Sequence, residues 1–110
     1  MCAHLNEVNT MWFITVMEYL VEDDKYIARH GDKRTWGYYE EYETAVQALH
    51  ENWCDMNEGI YGIALLEKYG PGISPWCEGR QWFRYDREIQ GYIEMEEPEF
   101  IKCIVNFAIG

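Results

Sequence analysis

The sequence predicts an α+β domain in the order β-β-α-β-β-β, a mostly antiparallel sheet with one helix packed on one face. Three observations predict it. Residues 42–58, YETAVQALHENWCDMNE, form the one long stretch with a helical period. The segments on either side are rich in aromatic and β-branched residues without that period, which favours strands. Glycine and proline gather between those segments, where turns need them. A lone amphipathic helix must bury its stripe against another element, and a sheet supplies the face.

Residues 1–10 read as a polar leader and residues 11–110 as a single compact domain. Residues 11–21, MWFITVMEYLV, predict a long and largely buried strand, because Thr15 and Glu18 interrupt the apolar run without giving it a helical stripe. Residues 22–33 are polar and aperiodic and predict a loop. Residues 34–39, RTWGYY, predict a second strand pairing with the first, in which Gly37 marks a bulge or the close approach of another backbone. In the predicted helix Ala45, Val46, Ala48, Leu49, Trp53 and Met56 draw one apolar stripe. Glu40, Glu41 and Glu43 stand at its start, where negative charge complements the exposed N–H groups, and Gly59 suits the left-handed position past its end. Asp55 and Glu58 break the pattern, since a carboxylate in the last turn is disfavoured by ~0.3–1 kcal/mol. Residues 60–69 predict a third strand, the Gly- and Pro-rich residues 70–75 a loop, and residues 81–85 and 92–95 a final hairpin. Pro98 ends the sheet, and residues 100–109 stay open between a helical turn and a terminal strand over 105–109.

Charge narrows the function classes. The 110 residues carry 20 acidic and 9 basic side chains, a formal net charge of −11. Direct nucleic-acid binding needs a basic face and is not expected. Anionic membrane surfaces are disfavoured for the same reason, and no apolar run is long enough to span a bilayer. The leader has neither a basic n-region nor an apolar h-region, so a cytoplasmic location is expected. Cys2, Cys54, Cys77 and Cys103 form no CxxC pair and read as free thiols in that compartment.

The motifs for chemistry are thin. Ser74 is the single serine and lacks a G-x-S-x-G setting, and Gly70-Pro71-Gly72 lacks the lysine and following helix of a phosphate loop. No catalytic residue and no cofactor are assigned. His50 and Cys54 stand four apart on the predicted helix, a spacing that can place two metal ligands on one face. Cys77 or Cys103 would have to complete the set, and no metal is assigned.

The segments RTWGYY, ENWCDMNEGIYGIALLEKYGPGI, QWFRYD and NFAIG together resemble a family of small uncharacterised acidic proteins of gut-bacterial chromosomes, mobile elements and phages. Its pattern is an R-x-x-G-[YF] strand, an alanine-rich helix ending N-x-x-D-[IM]-x-E-x-x-Y, an A-x-[IL]-E-[EK] strand, a P/E-G-[IL] turn, a W-[FY] hairpin and a terminal glycine. The resemblance covers residues 11–110 and falls on Arg34, Gly37, Tyr38, Asn52, Asp55, Glu58, Tyr61, Glu67, Gly72, Trp82 and Gly110. It implies a fold and a genomic setting, and no activity.

Asn52, Asp55, Glu58 and Tyr61 are the sharpest constellation. They read either as a polar pocket or cation site at the helix end, with Arg34 as counter-charge and Trp82 as a wall, or as a structural network tying the helix to the sheet. The acidic groups Glu22-Asp23-Asp24, Glu40-Glu41-Glu43 and Glu94-Glu96-Glu97-Glu99 read as a surface that imitates nucleic acid, or as solubilising charge. The expectation is a small acidic non-enzymatic interaction protein that binds a basic protein surface, in the mobile-element setting an inhibitor of a host nuclease or defence effector. Two alternatives stay open. One is a small-molecule or nucleotide-binding domain, or an enzyme, with its pocket at the helix end. The other is a structural homo-oligomer, a homodimer for instance, that buries in a symmetric interface whichever members of the aromatic set Trp12, Trp36, Tyr38, Tyr39, Tyr42, Trp76, Trp82 and Tyr92 are exposed.

Overall fold

The computed structural model describes residues 10–22, 25–58, 60–71 and 77–98, and between 20 and 32 the backbone alone. Five strands, β1 (Met11–Glu22), β2 (Lys25–Tyr39), β3 (Ile63–Tyr69), β4 (Cys77–Asp86) and β5 (Gly91–Met95), form one antiparallel sheet in the order β2-β1-β3-β4-β5. One helix, α1 (Tyr42–His50), follows β2. This is the α+β layout that the sequence predicts.

Strand alternation sorts the core onto two faces. Ile14, Val16, Ala64, Leu66, Phe83 and Tyr92 bury toward α1, meeting Ala45, Ala48 and Leu49 of the helix. Met17, Ile63, Leu65 and Trp82 bury on the opposite face, with Tyr19 and Met95 against them. β3 is central and buried on both faces, which is why IALLEKY is a continuous apolar run broken only near its end. Burying Leu49 completely contributes roughly 1.5–3 kcal/mol.

Four expectations need correction. The loop predicted over 22–33 is strand. The β1–β2 ladder continues through Tyr19↔Ala28, Leu20↔Ile27 and Val21↔Tyr26 to Glu22↔Lys25. β3 pairs with β1 only over Met11–Met17, so the far end of this hairpin runs on as a two-stranded ribbon. The sequence there holds only the three-residue apolar run Tyr26-Ile27-Ala28 among charged and polar residues, too short to show a strand period. Asp23 and Asp24 lie outside the described residues.

The helix predicted over 42–58 stops at His50. Asn52, Cys54, Asp55 and Glu58 take left-handed φ angles of 50°, 57°, 52° and 44°, and a short 3₁₀ turn spans Trp53–Asp55. Met56 is still fully buried in the helix-side core, so the apolar stripe is real while its last members reach the core from turns. The third strand begins at Ile63 rather than at residue 60, because the N–H groups of Ile60 and Tyr61 donate to the Asn57 carbonyl at 3.0 and 2.9 Å.

The bulge expected at Gly37 sits beside it. Ile14 pairs with Gly37 and Thr15 with Thr35, which leaves Trp36 as the extra residue. The final hairpin is longer than predicted, and its turn is held by Asp86 Oδ1, which accepts from Glu88 N at 2.8 Å. Residues 1–9 of the leader, the loop glycine Gly72 and residues 99–110 lie outside the described residues.

Candidate functional site

The segment that follows α1 is a chain of turns built on Asn52. Its left-handed backbone ends the helix, and asparagine adopts that conformation more readily than most residues. The Asn52 Oδ1 accepts from Asn57 N at 3.0 Å, and its Nδ2 donates to Asp55 Oδ1 at 3.2 Å. Asp55 N donates to the Asn52 carbonyl and Glu58 N to the Asp55 carbonyl. Tyr61 is buried, and its carbonyl accepts from the Tyr92 hydroxyl at 2.7 Å. Burial, then the neighbouring Tyr85 and the Asp55 and Glu58 carboxylates, holds the Tyr92 hydroxyl far above the ordinary tyrosine range.

Asn52 and Asp55 are thus joined directly, and Tyr61 is tied to them through the Asn57 backbone, with Glu58 next in the chain of turns. Their hydrogen bonds are directed inward, to one another and to the backbone. Arg34 is on the same side of the sheet and joins the group through rings. Its guanidinium lies 4.6 Å over Trp36, and Trp36 meets Tyr61 edge to face at 6.4 Å. Trp82 does not join. It faces the opposite side, in the cluster of Met17, Ile63 and Leu65. The register Leu65↔Trp82 against Ala64↔Phe83 fixes this.

The metal pair is not assembled either. Cys54 is exposed beyond the helix end, so the spacing of four from His50 is not a helical one. His50 Nε2 instead meets Glu94 Oε1 at 2.5 Å, joining α1 to β5. Among the described residues no three His, Cys, Asp or Glu side chains are placed to hold a metal ion.

The acidic groups are partly gathered. Glu40, Glu41, Glu43, Glu94, Glu96 and Glu97 are exposed. Glu43 from the helix and Glu94 from β5 approach the same ring: burial first, then Glu94 and Glu43, push the Tyr42 hydroxyl up. Only the backbone of Glu22 is described, and Asp23, Asp24 and Glu99 lie outside. Between these carboxylates the outer surface of α1 bears a shallow, mostly apolar groove of about 280 Å³, lined by Tyr42, Glu43, Val46, Gln47, His50 and Glu51. Glu51 is fixed at its rim by Trp53 Nε1 at 2.8 Å and Gln47 Nε2 at 2.9 Å, and these hydrogen bonds lower its pKa.

A buried ion pair lies on the opposite sheet face. Glu67 is fully buried, and Arg80 Nε and Nη2 approach its Oε2 at 3.1 and 3.0 Å. Tyr69 is buried beside them, its hydroxyl pushed well up by burial and then by Glu67. Sequence reasoning did not pair these residues. The available signal was a glutamate inside the apolar run 63–69, which strands buried on both faces rarely tolerate unless it is paired.

Most tryptophans serve packing. Trp12, Trp36 and Trp53 are half-buried against the helix-side core, and among the described residues the large exposed apolar side chains are Tyr38 and Ile89. No helix among the described residues is long and apolar enough to cross a membrane. Compared with protein-family models, curated proteins and solved structures, the chain finds no match.

Proposed function

We propose that this chain is a small acidic interaction protein, without catalysis of its own, that binds a basic surface of another protein through the side of the sheet carrying α1. The observation that supports it is the gathering of exposed Glu40, Glu41, Glu43, Glu51 and Glu94 around one helix whose outer surface is a mostly apolar groove. Carboxylates around an apolar floor complement a patch of lysine and arginine, and such complementarity speeds encounter and selects partners.

The fuller form of the proposal places the carboxylates in the phosphate-binding groove of a host nuclease or defence effector, with the protein as its inhibitor. That step rests on the resemblance to mobile-element and phage proteins and on the charge of −11. The competing reading, a small-molecule or nucleotide pocket at the helix end, needs Arg34, Asp55, Glu58 and Trp82 around one cavity. Trp82 on the far face and Arg34 on the Trp36 ring count against it.

Capture from host lysate is the test. The immobilised protein should retain a basic protein that is released as salt rises toward ~1 M, where screening reaches ~3 Å. Replacing Glu40, Glu41 and Glu43 together with glutamine should weaken retention. Recovery of no protein partner, or retention indifferent to salt, would sink the proposal.

A further inference from the structure

Resting on the acidic-surface reading, we infer that the groove on α1 is the seat of a basic amphipathic helix of the partner protein. The groove runs between two rows of side chains that step by four along the helix, Tyr42-Val46-His50 and Glu43-Gln47-Glu51. Rows of this kind receive the side-chain ridge of a second helix. The inward side of α1 is occupied, since Ala45, Ala48 and Leu49 are buried in the core. The flank next to it holds the half-buried Val46 and Tyr42, which pack against that core with one side and line the groove with the other.

Charge sets the chemistry of the occupant. Glu94 stands on the flank of the first row, against His50 and near Tyr42. Glu43 and Glu51 form the second row with Gln47. Carboxylates therefore border the apolar floor on both sides. A helix that fits presents a narrow apolar ridge to Val46 and the Tyr42 ring, with lysine or arginine on each side of that ridge. A disordered basic tail would satisfy the charge and leave the groove unfilled. A helix-in-groove contact uses both. α1 is nine residues long, so the contact is short and the complex is expected at the weak end of the interface range.

The test uses the full-length protein and two synthetic peptides of ~15 residues, the length at which isolated helices become marginally stable. Both contain the same lysines, leucines and alanines. In one the leucines form a single helical ridge, and in the other the order is shuffled so that they do not. Binding is followed by titration calorimetry at low salt, with the protein's fold checked by circular dichroism. The ridge peptide should bind about tenfold more tightly than its isomer, a difference of one decade in Kd. Gln47→Lys, at an exposed position that tolerates any helix former, should weaken the ridge peptide about tenfold and the shuffled one far less. Val46→Ser should act in the same direction. Equal binding of the two peptides, with Gln47→Lys and Val46→Ser affecting both alike, overturns the groove and leaves the acidic-surface reading standing. Failure of both peptides to bind also overturns the groove, while capture of a salt-released partner from lysate then decides the wider reading by itself.

Discussion

The pair Glu67 and Arg80 shows what a single strand position can demand. Glu67 has no exposed surface, and the ladder sets Arg80 directly opposite on β4. Removing one member of such a pair strands the other charge in the core. Arg80→Met should therefore cost about 3–5 kcal/mol in denaturant unfolding. Replacing both, Glu67→Leu with Arg80→Met, should recover most of that loss, because an apolar pair of similar volume pays no desolvation penalty. If the double variant is no more stable than the single one, the pair does more than neutralise its own charges. Two tyrosines give a matching pH signature. Tyr69 and Tyr92 are buried, and burial, followed by nearby groups that include carboxylates, raises both hydroxyls above the ordinary value near 10.0. A raised folded pKa means that stability is complete below the unfolded value and falls as pH climbs above it. The protein should lose stability progressively above about pH 10, with tyrosinate absorbance appearing together with unfolding.

At the scale of elements, the end of α1 decides how the helix sits on the sheet. A Cβ at Gly91 would meet the His50 carbonyl oxygen at 1.8 Å, a contact with backbone that cannot rotate away. Gly91→Ala should therefore push the helix end off β5 and cost about 1–3 kcal/mol, the range for overpacking, and weaken the contact between His50 and Glu94. A thermal scan compared with Gly79→Ala, where the nearest neighbour is the Trp12 ring at 3.4 Å, isolates the effect. Beyond that end, Cys54 holds φ at 57°, a conformation that costs a side chain with a Cβ about 1–2 kcal/mol. Cys54→Gly relieves the strain and adds freedom to the unfolded chain, so equilibrium unfolding should show no net loss and a gain of up to about 1 kcal/mol. These two positions also explain what was legible. Of the predicted stripe, Ala45, Ala48, Leu49 and Met56 are buried, since burial follows apolar spacing, while Val46 and Trp53 stay half-buried beside them. Asp55 and Glu58 were the sign that the helix does not reach them. Carboxylates opposed to a helix dipole cost nothing where no helix exists. Strand order could be reached from the apolar runs, but the face of Trp82 depends on register with β3, and residue content alone does not set register. The ribbon through Lys25 was concealed because its apolar residues, Tyr26-Ile27-Ala28, form one short run among charges and show no strand period.

For the whole molecule, one charge imbalance acts on folding and on binding with opposite signs of salt dependence. Twenty acidic against 9 basic side chains give a net −11, and the described ion pairs His50–Glu94 and Arg80–Glu67 each engage one carboxylate. The remaining acidic surface repels itself in the compact state and does so less in the expanded chain. Raising ionic strength from ~0.01 to ~0.15 M shortens the screening length from ~30 to ~8 Å, which mutes repulsion across the α1 face. Tm should therefore rise over that interval. The buried pair Glu67–Arg80 is shielded from solvent ions and should contribute little to the change. Binding to a basic partner is an attraction between opposite surfaces, so the same salt should lower the association rate and the affinity. Replacing Glu40, Glu41 and Glu43 with glutamine should flatten both dependences, since the same carboxylates produce both. A triple variant with a reduced salt slope in Tm but an unchanged slope in binding would show that the partner meets a different acidic face, and the carboxylates around α1 would then be solubilising charge alone.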